Sequence, residues 1–116
     1  MNKIILMGRL VKDPELKHTE NGNKPYTKFV IAVQRNYKLA DGTREADFIP
    51  IRIWGKKAEI VCNYVKKGDY INISGRLRIG SYEDKEGNRK YITEVIADDF
   101  KSFSQKNTAT GTDLNQ

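Results

Sequence analysis

The chain contains very few of the residues that build metal centres or disulfides. Its 116 residues include one cysteine, one histidine and three prolines. A single cysteine forms no internal disulfide, and one histidine with one cysteine does not make a zinc ligand set. Cys62 lies in a predicted helix beside Val61, so we interpret it as a packed thiol, whereas His18 lies alone in a polar segment. We therefore expect no metal and no other cofactor.

Long apolar runs are also missing. No stretch of 18 or more apolar residues is present to span a membrane, and the apolar stretch near the N-terminus is broken by Gly8 and Arg9, which makes it too short for a signal peptide. We therefore expect no membrane partner and a cytoplasmic location. Paired carboxylates, a nucleophile with a neighbouring base and a phosphate-binding loop are absent as well. The chain is consequently not expected to be an enzyme.

The charge balance is basic. Lys and Arg number 21 against 15 Asp and Glu, which gives a formal charge of +6. A basic balance favours a polyanionic partner, of which nucleic acid is the commonest, although a mildly basic surface without such a partner fits the charge equally well. The length suits one domain, predicted over residues 1–104. Residues 105–116 are almost entirely polar, so we expect a disordered tail there.

The segment 46–54 carries the most informative pattern in the chain. It reads Ala-Asp-Phe-Ile-Pro-Ile-Arg-Ile-Trp, and side chains on a strand alternate between its two faces. Isoleucines at 49, 51 and 53 therefore form a core face, whereas Phe48, Arg52 and Trp54 share the opposite face. Aromatic rings and a cation together on one face of a sheet are typical of a platform on which unpaired bases stack.

A second segment, 69–82, repeats this arrangement. Alternation predicts an apolar core face made of Ile71, Ile73, Leu77 and Ile79. The opposite face then holds the following polar and aromatic residues: Tyr70, Asn72, Ser74, Arg76, Arg78 and Tyr82. Two strands with arginine and aromatic residues on their polar side strengthen the interpretation that this side binds nucleic acid.

The remaining pattern predicts a small all-β fold with one helix. Strands are predicted over 2–11, 26–35, 46–54, 69–82 and 89–97, and a helix over 57–66, with the polar segment 15–24 as a connection containing the Asn21-Gly22 turn. Five strands with a helix between the third and the fourth are typical of the OB-fold, a partly open barrel. Lys66 and Lys67 are interpreted as cations at the helix C-terminus, before a capping Gly68.

The chain resembles the bacterial single-stranded DNA-binding proteins over about residues 2–103. The matching motifs include Gly8-Arg9-Leu10, Asp13-Pro14-Glu15, Trp54-Gly55-Lys56, Gly75-Arg76-Leu77-Arg78 and Tyr91-Ile92-Thr93-Glu94-Val95. No single motif is strong, but their order and spacing make the match specific. The resemblance implies binding of single-stranded DNA during replication, recombination and repair, a homotetramer, and a location in the cytoplasm at the nucleoid.

The resemblance also implies particular site residues. Bases would stack on Tyr37, Phe48, Trp54 and Tyr82, of which alternation along the strands points independently to all but Tyr37. Phosphates would contact Lys3, Arg9, Arg52, Lys56, Arg76 and Arg78. We interpret Tyr26, Tyr70 and Tyr91 as structural. Family members commonly end in an acidic tip that recruits replication and repair proteins, and this chain ends Gly-Thr-Asp-Leu-Asn-Gln without one. Such recruitment is therefore not expected, whether the tip has been lost by truncation or the chain is a viral, plasmid-borne or accessory variant.

Two other function classes remain open at this point. The same surface would suit an OB-fold RNA binder or a primosome-type accessory protein. A structural or enzymatic OB domain is the third class, and it lacks support because none of the catalytic constellations named above is present. The leading hypothesis is binding of single-stranded DNA with little sequence preference, since stacking accepts any base.

Overall fold

The computed structural model describes residues 1–103, in which six strands and one helix follow one another along the chain. The elements are β1 (Ile4–Leu10), β2 (Glu15–His18), β3 (Pro25–Gln34), β4 (Ala46–Trp54), α1 (Lys56–Tyr64), β5 (Tyr70–Glu83) and β6 (Arg89–Phe103). The tail predicted over residues 105–116 lies outside the described residues. No helix in the described part of the chain is long and apolar enough to cross a membrane.

Five of the strands close into a ring. Their order is β1-β5-β6-β4-β3, and β1 pairs with β3 to complete the circuit. The pairings are antiparallel except that between β4 and β6, which is parallel. Where β1 meets β3, a Cβ on Gly8 would lie 2.7 Å from the Ala32 carbonyl oxygen. Glycine is thus required for the two backbones to approach closely enough to close the ring.

The core lies inside this ring and beneath the helix. The predicted inward residues Ile51, Ile53, Ile71 and Ile73 are no more than 1% exposed. Ala58 and Val61, three residues apart on one face of α1, and Val65, directly after the helix, are all fully buried. Cys62 is partly buried and packs against this cluster, as a packed thiol should.

Strand β2 was not predicted, because its sequence carries no alternation. All four of its residues are exposed, so neither face selects apolar side chains. It forms by pairing with β3, where Leu16 lies opposite Thr27. The predicted turn that follows is present, since Gly22 and Asn23 both adopt left-handed backbone conformations.

The helix ends earlier than predicted. It stops at Tyr64, and Val65 is already extended, so Lys66 and Lys67 lie beyond the last turn. Gly68 has a positive φ of 91° but belongs to the next turn, in which Asp69 accepts a hydrogen bond from the Lys66 backbone. The helix-cation interpretation was wrong for Lys67, whereas the Lys66 ammonium does lie 3.4 Å from the Cys62 carbonyl oxygen of the helix.

The outer halves of β5 and β6 project beyond the ring as a two-stranded arm, residues 77–94. Along these residues the two strands pair only with each other, because the β1 pairing ends at Gly75 and the β4 pairing begins at Val95. Leu77 and Ile79 were predicted to be core residues, and this is wrong: they are 38% and 64% exposed. Their side chains do alternate correctly, but within residues 1–103 this part of β5 pairs with β6 alone.

Candidate nucleic-acid interface

Strand β4 presents its two large aromatic rings to solvent. Phe48 is 66% exposed and Trp54 41% exposed, whereas Ile51 and Ile53 on the other face are buried. The orientation predicted from the alternation of this strand is therefore confirmed. An aromatic ring that the fold leaves uncovered retains a free face for another flat group to stack on.

Strand β3 continues the same surface beside β4. Tyr26 lies opposite Trp54, Lys28 opposite Arg52 and Ala32 opposite Phe48. The rings of Tyr26 and Trp54 are 4.9 Å apart at an interplanar angle of 34°. Tyr26 thus supports one side of the Trp54 ring, which agrees with the structural role predicted for it. We call the outward face of β3, β4 and the β5–β6 arm the platform.

Two predicted phosphate contacts share a buried carboxylate that the sequence did not reveal. Arg52 Nε donates to Glu94 Oε1 at 3.1 Å, and Arg78 Nη1 donates to Glu94 Oε2 at 2.7 Å. The Glu94 side chain is only 1% exposed. Alternation along β6 places Glu94 on the platform side, but its two partners come from β4 and β5. Finding this cluster requires the register between strands, which one sequence does not supply.

Strand β5 brings Arg76, directly before the arm, and Tyr82, on the arm, to the side of the platform. They lie on the same face of β5 as Arg78, because their positions differ by even numbers along the strand. Tyr82 is 51% exposed. Arg76 is exposed and forms no ion pair within residues 1–103. Its charge is therefore available to a ligand in a way that the charges of Arg52 and Arg78 are not.

Lys3 reaches the platform through a groove at one end of the ring. The groove has a volume of about 620 Å³, and its walls include Lys3, Phe48, Pro50, Leu77 and Glu94. Lys3 precedes β1 and is far from Phe48 in sequence, so closure of the ring is what brings the two together. The groove therefore has both an exposed lysine and an exposed aromatic ring in its lining.

Arg9 lies next to the platform but has a partner of its own. Its Nη2 donates to the Tyr70 hydroxyl at 2.6 Å, and its guanidinium carbon is 4.7 Å from the centre of the Tyr70 ring. Arg9 pairs across β1 and β3 with Ala32, the residue opposite Phe48. Tyr70 therefore positions Arg9, which is consistent with the structural role predicted for this tyrosine.

Tyr37 is tied to β4 through one arginine. It follows β3, is 56% exposed, and its hydroxyl accepts a hydrogen bond from Arg35 Nη1 at 3.1 Å. Arg35 Nη2 also donates to Oδ1 of Asp47, the residue directly before Phe48, at 2.9 Å. Hydrogen bonds from Arg35 hold the pKa of the Asp47 carboxyl below its ordinary value, so Asp47 is charged at neutral pH and keeps the link. The loop that bears Tyr37 is thereby attached beside Phe48.

Two other residues singled out from the sequence, Lys56 and Tyr91, are both exposed. Lys56 is exposed and begins α1, separated from Trp54 by Gly55. Tyr91, predicted to be structural, is 70% exposed on the arm. Within residues 1–103 no group of three or more His, Cys, Asp or Glu side chains is arranged to hold a metal ion.

Comparison with known proteins gives consistent relatives. Residues 1–103 match the family described as the Single-strand binding protein family. A Single-stranded DNA-binding protein of Clostridium tetani is 54% identical over 101 residues, which cover 87% of this chain and 69% of that protein. Single-stranded DNA-binding protein 1 of Clostridium acetobutylicum is 46% identical over 109 residues, which cover 94% of this chain and 99% of that protein.

Proposed function

Because the chain belongs to the single-strand binding protein family, we propose that it binds single-stranded DNA with little sequence preference. The resemblance noted from the sequence motifs is confirmed by that membership. Proteins of this family are non-enzymatic, as expected for this chain. The proposed binding domain covers residues 1–104, and the ring of five strands with its helix is consistent with an OB-fold barrel.

The observation that carries this proposal is the outward orientation of Phe48 and Trp54. A base removed from a duplex exposes two flat faces, and stacking on an aromatic side chain is worth roughly 1–3 kcal/mol per base. We propose that Tyr37, Phe48, Trp54 and Tyr82 provide these stacking positions. Because each base has such a face, the stacking does not select a sequence, and because paired bases are already stacked, it selects single strands.

The cations of the platform would provide the second part of the binding free energy. Contacts of Lys3, Arg9, Arg52, Lys56, Arg76 and Arg78 with phosphates would release counterions, so affinity should fall as salt rises. The exposures support this role for Arg76 and Lys3 most directly. Arg52 and Arg78 would bind phosphate together with the carboxylate that they share.

We further propose that the protein assembles as a homotetramer, so that one DNA strand contacts several rings. Support comes from the outward side of β1, where Ile5 and Met7 are 73% and 55% exposed on a regular strand. Adjacent exposed apolar side chains on the outward face of a strand favour burial against another protein surface. In the cell, the proposed role is protection of single strands during replication, recombination and repair, in the cytoplasm at the nucleoid.

Fluorescence of Trp54, which is the only tryptophan, tests the DNA-binding proposal directly. Stacking of a base on this indole should quench its emission, so titration with oligo-dT should quench strongly and duplex of equal length only weakly. A Trp54→Phe variant, followed by anisotropy of a labelled oligo-dT, should retain most of the affinity because a ring remains. Tighter binding of oligo-rU than of oligo-dT would favour an RNA-binding function instead. If neither oligo-dT nor oligo-rU quenches the emission at low salt, the proposal is refuted. Solution mass measured with and without oligo-dT gives the subunit number in the same samples.

A further inference from the structure

Glu94 is a buried negative charge in the middle of a surface that otherwise presents cations. Its side chain is 1% exposed, and its two oxygens accept hydrogen bonds from different arginines on different strands. A buried carboxylate is tolerated only when it is paired and hydrogen-bonded, and both conditions are met here. The three side chains of Arg52, Arg78 and Glu94 therefore form one unit, which we call the Arg–Glu–Arg cluster.

The cluster has a net charge of about one positive unit, since one carboxylate is shared by two guanidinium groups. Arg52 uses only its Nε on Glu94, so both of its terminal nitrogens have no hydrogen-bond partner within residues 1–103. Arg78 uses its Nη1 and is 49% exposed, which leaves the rest of its fork available. Both arginines therefore keep N–H donors that face the solvent, although the cluster as a whole carries only about one positive charge.

The surroundings of the cluster fix where these donors lie. The Arg52 guanidinium carbon is 5.2 Å from the centre of the Tyr26 ring and 5.7 Å from that of Trp54, so Glu94 holds this cation beside the two neighbouring rings. On the arm, a Cβ on Gly80 would lie 3.4 Å from Arg78 Nη2, so the guanidinium lies directly over a residue without a side chain. Glu94 is the only residue of the described chain that bonds both arginines.

We propose that Glu94 is a positioning residue for single-stranded DNA, which holds Arg52 and Arg78 so that the pair neutralises one phosphate rather than two. This inference rests on the proposed function of the platform. The carboxylate fixes both forks beside the stacking rings before DNA arrives, which lowers the ordering cost of binding. It also limits the number of counterions that the pair releases, and so makes binding less sensitive to salt than the number of arginines suggests.

The salt dependence of oligo-dT affinity separates this role from a purely structural one. Glu94→Gln removes the negative charge, so the slope of log K against log salt should steepen by about 0.7, the value of one additional phosphate on a single strand. Glu94→Asp keeps the charge but shortens the side chain by one methylene, which moves the carboxylate away from the two arginines. Its slope should equal that of the wild type, while its affinity should fall about three- to tenfold through weakened hydrogen bonds.

The double variant Glu94→Gln/Arg78→Gln, which loses one charge of each sign, tests the inference even if Glu94→Gln alone fails to fold. Arg78→Gln alone should flatten the slope by about 0.7, and the double variant Glu94→Gln/Arg78→Gln should return it to the wild-type value. Glu59→Gln makes the same change of net charge on α1, away from the cluster, and should leave the slope unchanged. Thermal unfolding of each variant verifies the fold.

The outcomes distinguish this inference from the function on which it depends. If wild-type protein shows no preference for single strands, the proposed function itself fails. If wild-type protein binds as proposed, but the double variant is as flat as Arg78→Gln alone, then Glu94 does not offset the charge of its arginines. That second result, or an unchanged slope in a folded Glu94→Gln variant, would overturn the positioning role and leave the function intact.

Discussion

Replacement of Phe48 by alanine should weaken single-strand binding strongly and destabilise the fold only slightly. The side chain is 66% exposed, so about one third of it is buried. Full burial of a phenylalanine stabilises by roughly 1.5–3 kcal/mol, so the part that Phe48 buries accounts for about 0.5–1 kcal/mol. Loss of one stacked base costs roughly 1–3 kcal/mol, which corresponds to an increase of about five- to 150-fold in Kd.

Anisotropy of a labelled oligo-dT and thermal unfolding, applied to the same preparations, measure the two effects separately. Tyr64→Ala is a matched control, because this tyrosine is 74% exposed but lies on α1, and it should leave Kd unchanged. Phe29→Ala is the opposite control, because Phe29 is 5% exposed in the core and its removal should cost about 3–5 kcal/mol of stability.

The comparison of these three variants decides whether Phe48 is a ligand residue. An unchanged Kd for Phe48→Ala would show that the ring does not hold a base. A fall in Tm as large as that of Phe29→Ala would show that the ring serves the core instead, because about 1 kcal/mol corresponds to 4–8 °C in a domain of this size. Either result would refute the platform as the binding surface.

Two further predictions concern β5. Arg76→Ala should flatten the salt dependence of oligo-dT affinity by about 0.7 in log–log slope, because Arg76 has no carboxylate partner in the described chain. The control Lys66→Ala, beyond α1, should leave the slope unchanged. An unchanged slope for Arg76→Ala would remove this residue from the site. Gly75→Ala should destabilise the fold by about 1–3 kcal/mol or prevent folding, because the added Cβ would lie 2.1 Å from the Ile96 carbonyl oxygen, whereas Gly80→Ala meets only a side chain and should unfold at nearly the wild-type temperature. Equal unfolding temperatures for the two glycine variants would contradict that packing.

The buried and exposed faces of β4 could be predicted from the sequence because alternation is a local property. A strand with Ile49, Ile51 and Ile53 on one side has only one orientation that removes them from water, and that orientation exposes Phe48 and Trp54. The same argument correctly oriented the first half of β5. It depended on no knowledge of which strands are neighbours.

Alternation failed where burial depends on how far the neighbouring layer extends. Leu77 and Ile79 continue the pattern of Ile71 and Ile73, but they lie on the arm, where β5 pairs with β6 alone within residues 1–103, and both remain exposed. Conversely, β2 carries no pattern because both of its faces are exposed, and only its pairing with β3 makes it a strand. Both cases are set by contacts between distant segments.

The amino-acid sequence by itself determined the outward rings of β4, the helix that follows this strand and the basic balance of charge, because periodicity and charge are local properties of the chain. The tertiary structure alone decided which cations are free. Arg52 and Arg78 share the buried Glu94, whereas Arg76, on the same face of β5, has no such partner in the described residues. The physical reason is that these ion pairs form between strands, and their members meet only because β6 pairs with both β4 and β5 in a register that one sequence does not supply.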